Sequence, residues 1–149
     1  VNLAISLGAR RFEALGLYVR ASLLRLTGDM DGALHHVNHA LEIARQTGMG
    51  FAGPRILGEL ALITDDPMVR ASSLAEAEGL LAKGAAVLNQ LEFRKSAIDA
   101  CIKGSDWGAA ERHAKLLEEY TRAEPLPWAE RVVAQSRESA ASGRARLCE

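Results

Sequence analysis

One order of residues occurs twice in this chain and restricts its fold more than any other feature. Asp29, Met30, Ala33, Val37 and Ala40 are matched by Asp106, Trp107, Ala110, Ala114 and Leu117 at a constant offset of 77. An acidic residue, then a bulky one, then small or apolar residues at three- and four-residue steps describe a helix with an aspartate cap and one packed face. The first copy carries its full punctuation: Gly28 closes what precedes it, Leu41 and Ala44 continue the face, and Gly48 stops the run. Two helices built alike imply a repeated structural unit.

The spacing of helix-ending glycines gives the period. Ala4, Ile5, Leu7 and Gly8 read as the last turn of a helix with its stop, the counterpart of Ala44 to Gly48 and of Leu80 to Gly84. Gly8, Gly48 and Gly84 are 40 and 36 residues apart, within the range where self-similarity means a helical solenoid. The chain therefore reads as a piece of a longer array. Between the stops, apolar positions Phe12, Leu15, Val19, Leu23 and Leu26 predict a helix over 10–27 with a wide apolar band. Only Gly28 and Asp29 separate it from the next, so the two form an antiparallel hairpin. Pro54 and Pro67 fit first helical turns, the second of them after the capping Asp66. Pro125 and Pro127 break the chain before a final helix that begins with Trp128, and 143–149 is expected to fray. The expectation is all-α, about seven helices in a right-handed superhelical stack of hairpins at about 9–48, 53–84 and 86–122, with a capping helix at about 127–142. No stretch alternates with period two, so no sheet is expected.

Composition removes several functional classes. A net charge of −1 and a pI near 6.5 leave no electrostatic footprint for nucleic acid or an anionic membrane. Apolar runs are short and interrupted by charge, and the first residues have neither the basic nor the apolar region of a signal peptide, which makes the cytoplasm the expected location. Cys101 and Cys148 have no metal-site spacing and no framework to join, and read as unpaired thiols.

Each candidate for chemistry meets a plainer explanation. Gly48, Gly50 and Gly53 spell G-x-G-x-x-G, but a dinucleotide fingerprint follows a strand, and here a helix ends just before it. His35, His39 and Glu42 share a helical stripe and offer three ligands, yet the stripe lies opposite Val37, Ala40 and Ala44, where a solvated face is expected. His36 reads as a hydrogen-bonded rim residue and His113 stands alone. Cys101, among Ala97, Ile98 and Ile102, reads as a buried, inert thiol. Trp107 and Trp128 read as packing residues, and Arg131, Arg137, Arg144 and Arg146 are interleaved with Glu130, Glu138 and Glu149 as on a solvated helix. No nucleophile, base and orienting group form a unit, so no enzyme activity and no cofactor are expected.

Gly28, Asp29, Met30, Ala33, Val37 and Ala40 together resemble the second helix of a tetratricopeptide repeat. Leu17, Ala21 and Leu24 depart from it, standing where the consensus has Trp, Gly and Tyr. The connection from Gly48 to Pro54, the break at Thr64 to Pro67, the Glu111–Arg112 pair after Trp107 and the segment Ala123 to Trp128 narrow the likeness further. They resemble the C-terminal repeat region of bacterial signalling proteins in which repeats follow a class III nucleotide cyclase and a P-loop ATPase domain. Similar arrays follow the ATPase of maltose-regulator-like activators. The resemblance implies a scaffold for protein–protein interaction, with a partner protein or the upstream domains of the same chain as its ligand. If first helices line the binding face, as in that family, the contacts fall to Leu15, Tyr18, Ser22 and Arg25 in the first repeat and to Glu92, Lys95, Asp99 and Lys103 in the third. Tyr18 and Arg25 are of the types enriched at binding hot spots. The alternative is a small-molecule sensor or helical enzyme with a pocket between repeats. The apolar face between Phe12 and Leu26 adds the expectation that the isolated chain forms a homodimer through the N-terminal hairpin, the same face being covered by upstream repeats in a longer protein.

Overall fold

The computed structural model describes residues 1–146, and every regular element among them is helical. The order is α1 (Asn2–Ser6), α2 (Arg10–Leu26), α3 (Met30–Thr47), α4 (Gly53–Ile63), α5 (Pro67–Ala82), α6 (Val87–Lys103), α7 (Trp107–Thr121) and α8 (Pro127–Arg146). None is long and apolar enough to cross a membrane. The last helix runs through Gly143 to Arg146, past the point where fraying was expected. Cys148 lies outside the described residues. Two compact units divide the chain, Val1–Phe93 and Arg94–Glu149, and the boundary falls inside α6.

In the first unit α2 packs on α3, α3 on α4 and α4 on α5, with a further contact between α2 and α4. The faces that meet are made of small and branched residues: Ala14, Leu17 and Ala21 of α2, and Ala33, Val37, Ala40 and Ala44 of α3, all buried. Alanines at these steps let helix axes approach closely, which the ridges-into-grooves geometry requires. Helix α4 is buried over nearly its whole length, because α2, α3 and α5 all pack against it. That is why its sequence, Gly53–Ile63, is apolar almost all round. In the second unit α7 packs on α8 around Ala110, Ala114, Leu117, Ala129 and Val133.

The repeated order of the sequence reappears as repeated hydrogen bonds. Asp29 caps α3 by accepting from the Gly32 amide at 2.9 Å, and Asp106 caps α7 by accepting from the Ala109 amide at 2.9 Å. Before each cap the chain turns alike: the Gly28 and Asp29 amides donate to Arg25 and Leu24, and the Ser105 and Asp106 amides donate to Ile102 and Cys101. Every pair keeps the offset of 77. The left-handed residue of the turn is Gly28 in one copy, at φ +89°, and Ser105 in the other, at φ +58°. Gly104, which ends the helical pattern in the sequence, sits one position too early to serve, so a serine carries a conformation that costs an ordinary L-residue about 1 kcal/mol. Asp66 is the third cap, accepting from the Met68 amide at 2.8 Å just after Pro67 enters the first turn.

Both tryptophans are half-buried. Trp107 lies so close over Gly143 that any Cβ there would overlap the indole ring, which explains a glycine in the middle of α8 despite its cost to the helix.

Candidate functional site

The first-helix residues singled out by resemblance divide between the two units. Tyr18 and Ser22 of α2 and Glu92 of α6 line one open groove in the first unit, together with Leu15, Val19 and Leu23 of α2 and Arg55 of α4. Its volume is about 400 Å3. Helices α2, α4 and α6 supply it. On α2, Ala14, Leu17 and Ala21 are buried, and Leu15, Tyr18 and Ser22, one position on, remain half-buried at the surface.

The polar groups of this groove are held in place. The Tyr18 phenol is pushed up from its ordinary value of 10.0 to about 12, first by burial and then by the negative charges of Glu92 and Glu59, with Arg55 acting the other way. It is therefore a neutral hydrogen-bonding group at any physiological pH and no base. The Ser22 hydroxyl donates to the Tyr18 carbonyl at 3.2 Å. Arg55 is steered by its Nε, which donates to Asn89 Oδ1 at 3.0 Å, while the Asn89 amide donates back to the carbonyls of Gly50 and Phe51 at 3.2 and 3.3 Å.

Arg25 is ion-paired within the first unit. Its Nε donates to Glu59 Oε1 at 2.7 Å, with the two side chains 20% and 3% exposed. The guanidinium thus ties α2 to α4.

Lys95, Asp99 and Lys103 belong to the second unit, and all three are exposed. Asp99 borders a second open groove of about 370 Å3 between α6 and α8, lined also by Ile98, Ile102, Val132, Gln135 and Ser136. Tyr18, Ser22 and Glu92 are thus brought together in the first unit, where Arg25 is ion-paired to Glu59, and Lys95, Asp99 and Lys103 belong to the second unit.

Sequence reasoning passed over Arg55, Glu59 and Asn89. A signal for them exists. Glu59 is the one charge in the apolar run from Ile56 to Ala61, and a charge in such a run needs a partner. Arg25 of α2 bonds Glu59 of α4, and Arg55 of α4 bonds Asn89 of α6, both pairs 34 residues apart.

The remaining candidates resolve by burial. His35, His39 and Glu42 are all exposed, and no group of three or more metal-ligating side chains occurs among the described residues. The glycines of the G-x-G-x-x-G stretch connect α3 to α4, and the bonds from Asn89 occupy carbonyls of the turn. His36 is half-buried, but its Nδ1 has no hydrogen-bond partner among the described residues, contrary to the expected bonded rim position. Burial and then Arg20, His35 and His39 lower its pKa below the ordinary histidine value. His113 does not stand alone: it is fully buried, and Arg94 Nη1 lies 2.9 Å from its Nδ1. Since a guanidinium only donates, Nδ1 is the acceptor of that bond. Cys101 is buried in the same unit.

Set against models of known protein families, curated proteins and solved structures, the chain matches none of them.

Proposed function

We propose that this chain is a tetratricopeptide-like interaction module, with its hairpins stacked in a right-handed superhelix, serving as the C-terminal regulatory repeats of a larger bacterial signalling protein in the cytoplasm. Its ligand is a segment of a partner protein or of the upstream domains of the same polypeptide. One observation carries the reading: the groove of about 400 Å3 sets apolar Leu15, Val19 and Leu23 beside the fixed polar groups of Tyr18, Ser22, Arg55 and Glu92. An apolar strip with a few oriented hydrogen-bonding groups is what recognition of a protein segment needs. We read the groove as a binding surface, in which the Tyr18 phenol, held neutral at physiological pH, serves as a hydrogen-bonding group. The trough is open, and Val19 and Leu23 on its edge are exposed, which suits a polypeptide better than a small molecule that must be enclosed.

The test is photo-crosslinking in the full-length protein, with the reactive amino acid placed at Ser22 and, separately, at the exposed Glu119 of α7. A single protein or domain captured from position 22 and not from 119, and lost when Arg55→Glu is added to a chain of unchanged helicity, is the expected result. Capture from both positions alike, or capture indifferent to Arg55→Glu, counts against the groove.

A further inference from the structure

The groove between α6 and α8 lies within the second unit, and its lining differs in kind from that of the first unit's groove. Val132, Gln135, Ser136 and Ser139 follow at steps of three, one and three, so they share the face of α8 that borders it. A face made simply to pack on Ile98 and Ile102 of α6 would be apolar throughout, yet of these four only Val132 is. Ser136 is 1% exposed, and its Oγ has no hydrogen-bond partner among the described residues. Buried hydroxyls are ordinarily satisfied, in a helix by a carbonyl of the preceding turn if by nothing else. One left without a partner on the wall of a groove marks a bond that a ligand can supply.

The charged groups on this groove are of one sign. Asp99 of α6 and Glu138 of α8 border it, and among the described residues no lysine, arginine or histidine does. Carboxylates, hydroxyl oxygens and the Gln135 amide oxygen are all acceptors, and what matches a set of acceptors is a cation rich in N–H donors. They do not form a metal cage, since no group of three or more metal-ligating side chains occurs among the described residues. Ile98, Ile102 and Val132 add apolar wall, which methylene groups beside the charge can cover. The stretch of α8 from Val132 to Ser139 runs about 10 Å, so the groove suits an elongated ligand. Its volume of about 370 Å3 is that of a small-molecule site.

We infer that the α6–α8 groove binds a linear aliphatic polyamine, its ammonium groups taken by Asp99, Glu138 and the Ser136 hydroxyl and its methylenes lying along Ile98, Ile102 and Val132. Ammonium groups keep part of their hydration through bridging water, so this ligand, unlike an apolar one, does not have to be enclosed. The site is separate from the groove of α2, α4 and α6, and its failure leaves the proposed function untouched.

Isothermal titration calorimetry of the chain with spermidine tests it, beside tetramethylammonium, a cation without N–H donors, and acetyl-lysine amide, which carries the same ammonium as a partner protein's lysine would. The variants are Glu138→Gln, Ser136→Ala and the control Glu124→Gln, an exposed carboxylate in the α7–α8 connection. Spermidine is expected to bind one equivalent with a Kd below about 1 mM, and tetramethylammonium not at all. Glu138→Gln and Ser136→Ala should each weaken spermidine about tenfold with circular dichroism unchanged, and Glu124→Gln should leave it as it is. No saturable binding of spermidine, or equal losses in Glu138→Gln and Glu124→Gln, overturns the inference. Acetyl-lysine amide binding as tightly as spermidine also overturns it, by assigning the groove to a lysine of another protein.

Discussion

Tyr18 was readable from the sequence as a surface aromatic of the first helix, but its electrostatic state was not. That state depends on Glu92 and Glu59, which lie 74 and 41 residues further along the chain and are brought near only by packing. The phenol's pKa of about 12 in the folded chain lies above its ordinary 10.0. The native state therefore holds this proton where the unfolded chain has lost it. The stabilisation linked to it is whole below about pH 10 and is lost as the pH rises through about 12. Wild-type stability to denaturant is expected to fall more steeply over that interval than that of Tyr18→Phe. The late step of tyrosinate absorbance should vanish in the same variant. Equal slopes, with no late step in the wild type, would show the phenol to be solvated. Ser105 illustrates the opposite limit of legibility. The offset of 77 assigns it to the place of Gly28, yet Gly104 next to it is the stronger local signal, and hydrogen-bond geometry alone decides between them.

Helix boundaries were the most legible property of this chain, because caps and stops are local. Asp29, Asp66 and Asp106 each open a helix as written, Pro67 enters the first turn, and α4 begins at Gly53 beside Pro54. What the elements do to each other was less visible. Periodicity marks which face of α4 is apolar, and since the helix is buried almost throughout, it says nothing about which neighbour each residue meets. The pair formed by Arg25 and Glu59 is the clearest case. With Glu59 3% exposed, removing Arg25 strands a carboxylate, so Arg25→Met is expected to cost about 3–5 kcal/mol, and Glu59→Leu alone a comparable amount. Replacing both together should restore most of the loss, because well-packed apolar groups tolerate this site as well as an ion pair does. Urea titrations of the four chains in a double-mutant cycle measure it. Additive losses would mean that the two side chains are not energetically coupled.

At the scale of the whole molecule, the repeated order in the sequence specifies neighbours better than it specifies an assembly. It marks the helices and the turns between them, but how one helix packs on the next comes from side-chain volumes across each contact, which a period does not encode. The same modularity bears on cooperativity. Two compact units meet within α6, between Phe93 and Arg94, and each has its own buried residues: Val37, Ile56 and Leu57 in the first, Ile98, Ala114 and Leu117 in the second. With buried residues divided between two units, no single core enforces one transition on every helix. Leu117 is fully buried, so Leu117→Ala is expected to cost about 2–5 kcal/mol through the cavity it leaves. That loss should be felt locally. Amide hydrogen exchange in Leu117→Ala is expected to accelerate through α7 and α8 while the amides of α2 and α3 keep most of their protection. A uniform rise along the whole chain would show instead that both units unfold together, and that the continuous helix joining them transmits the full cost of a defect in either.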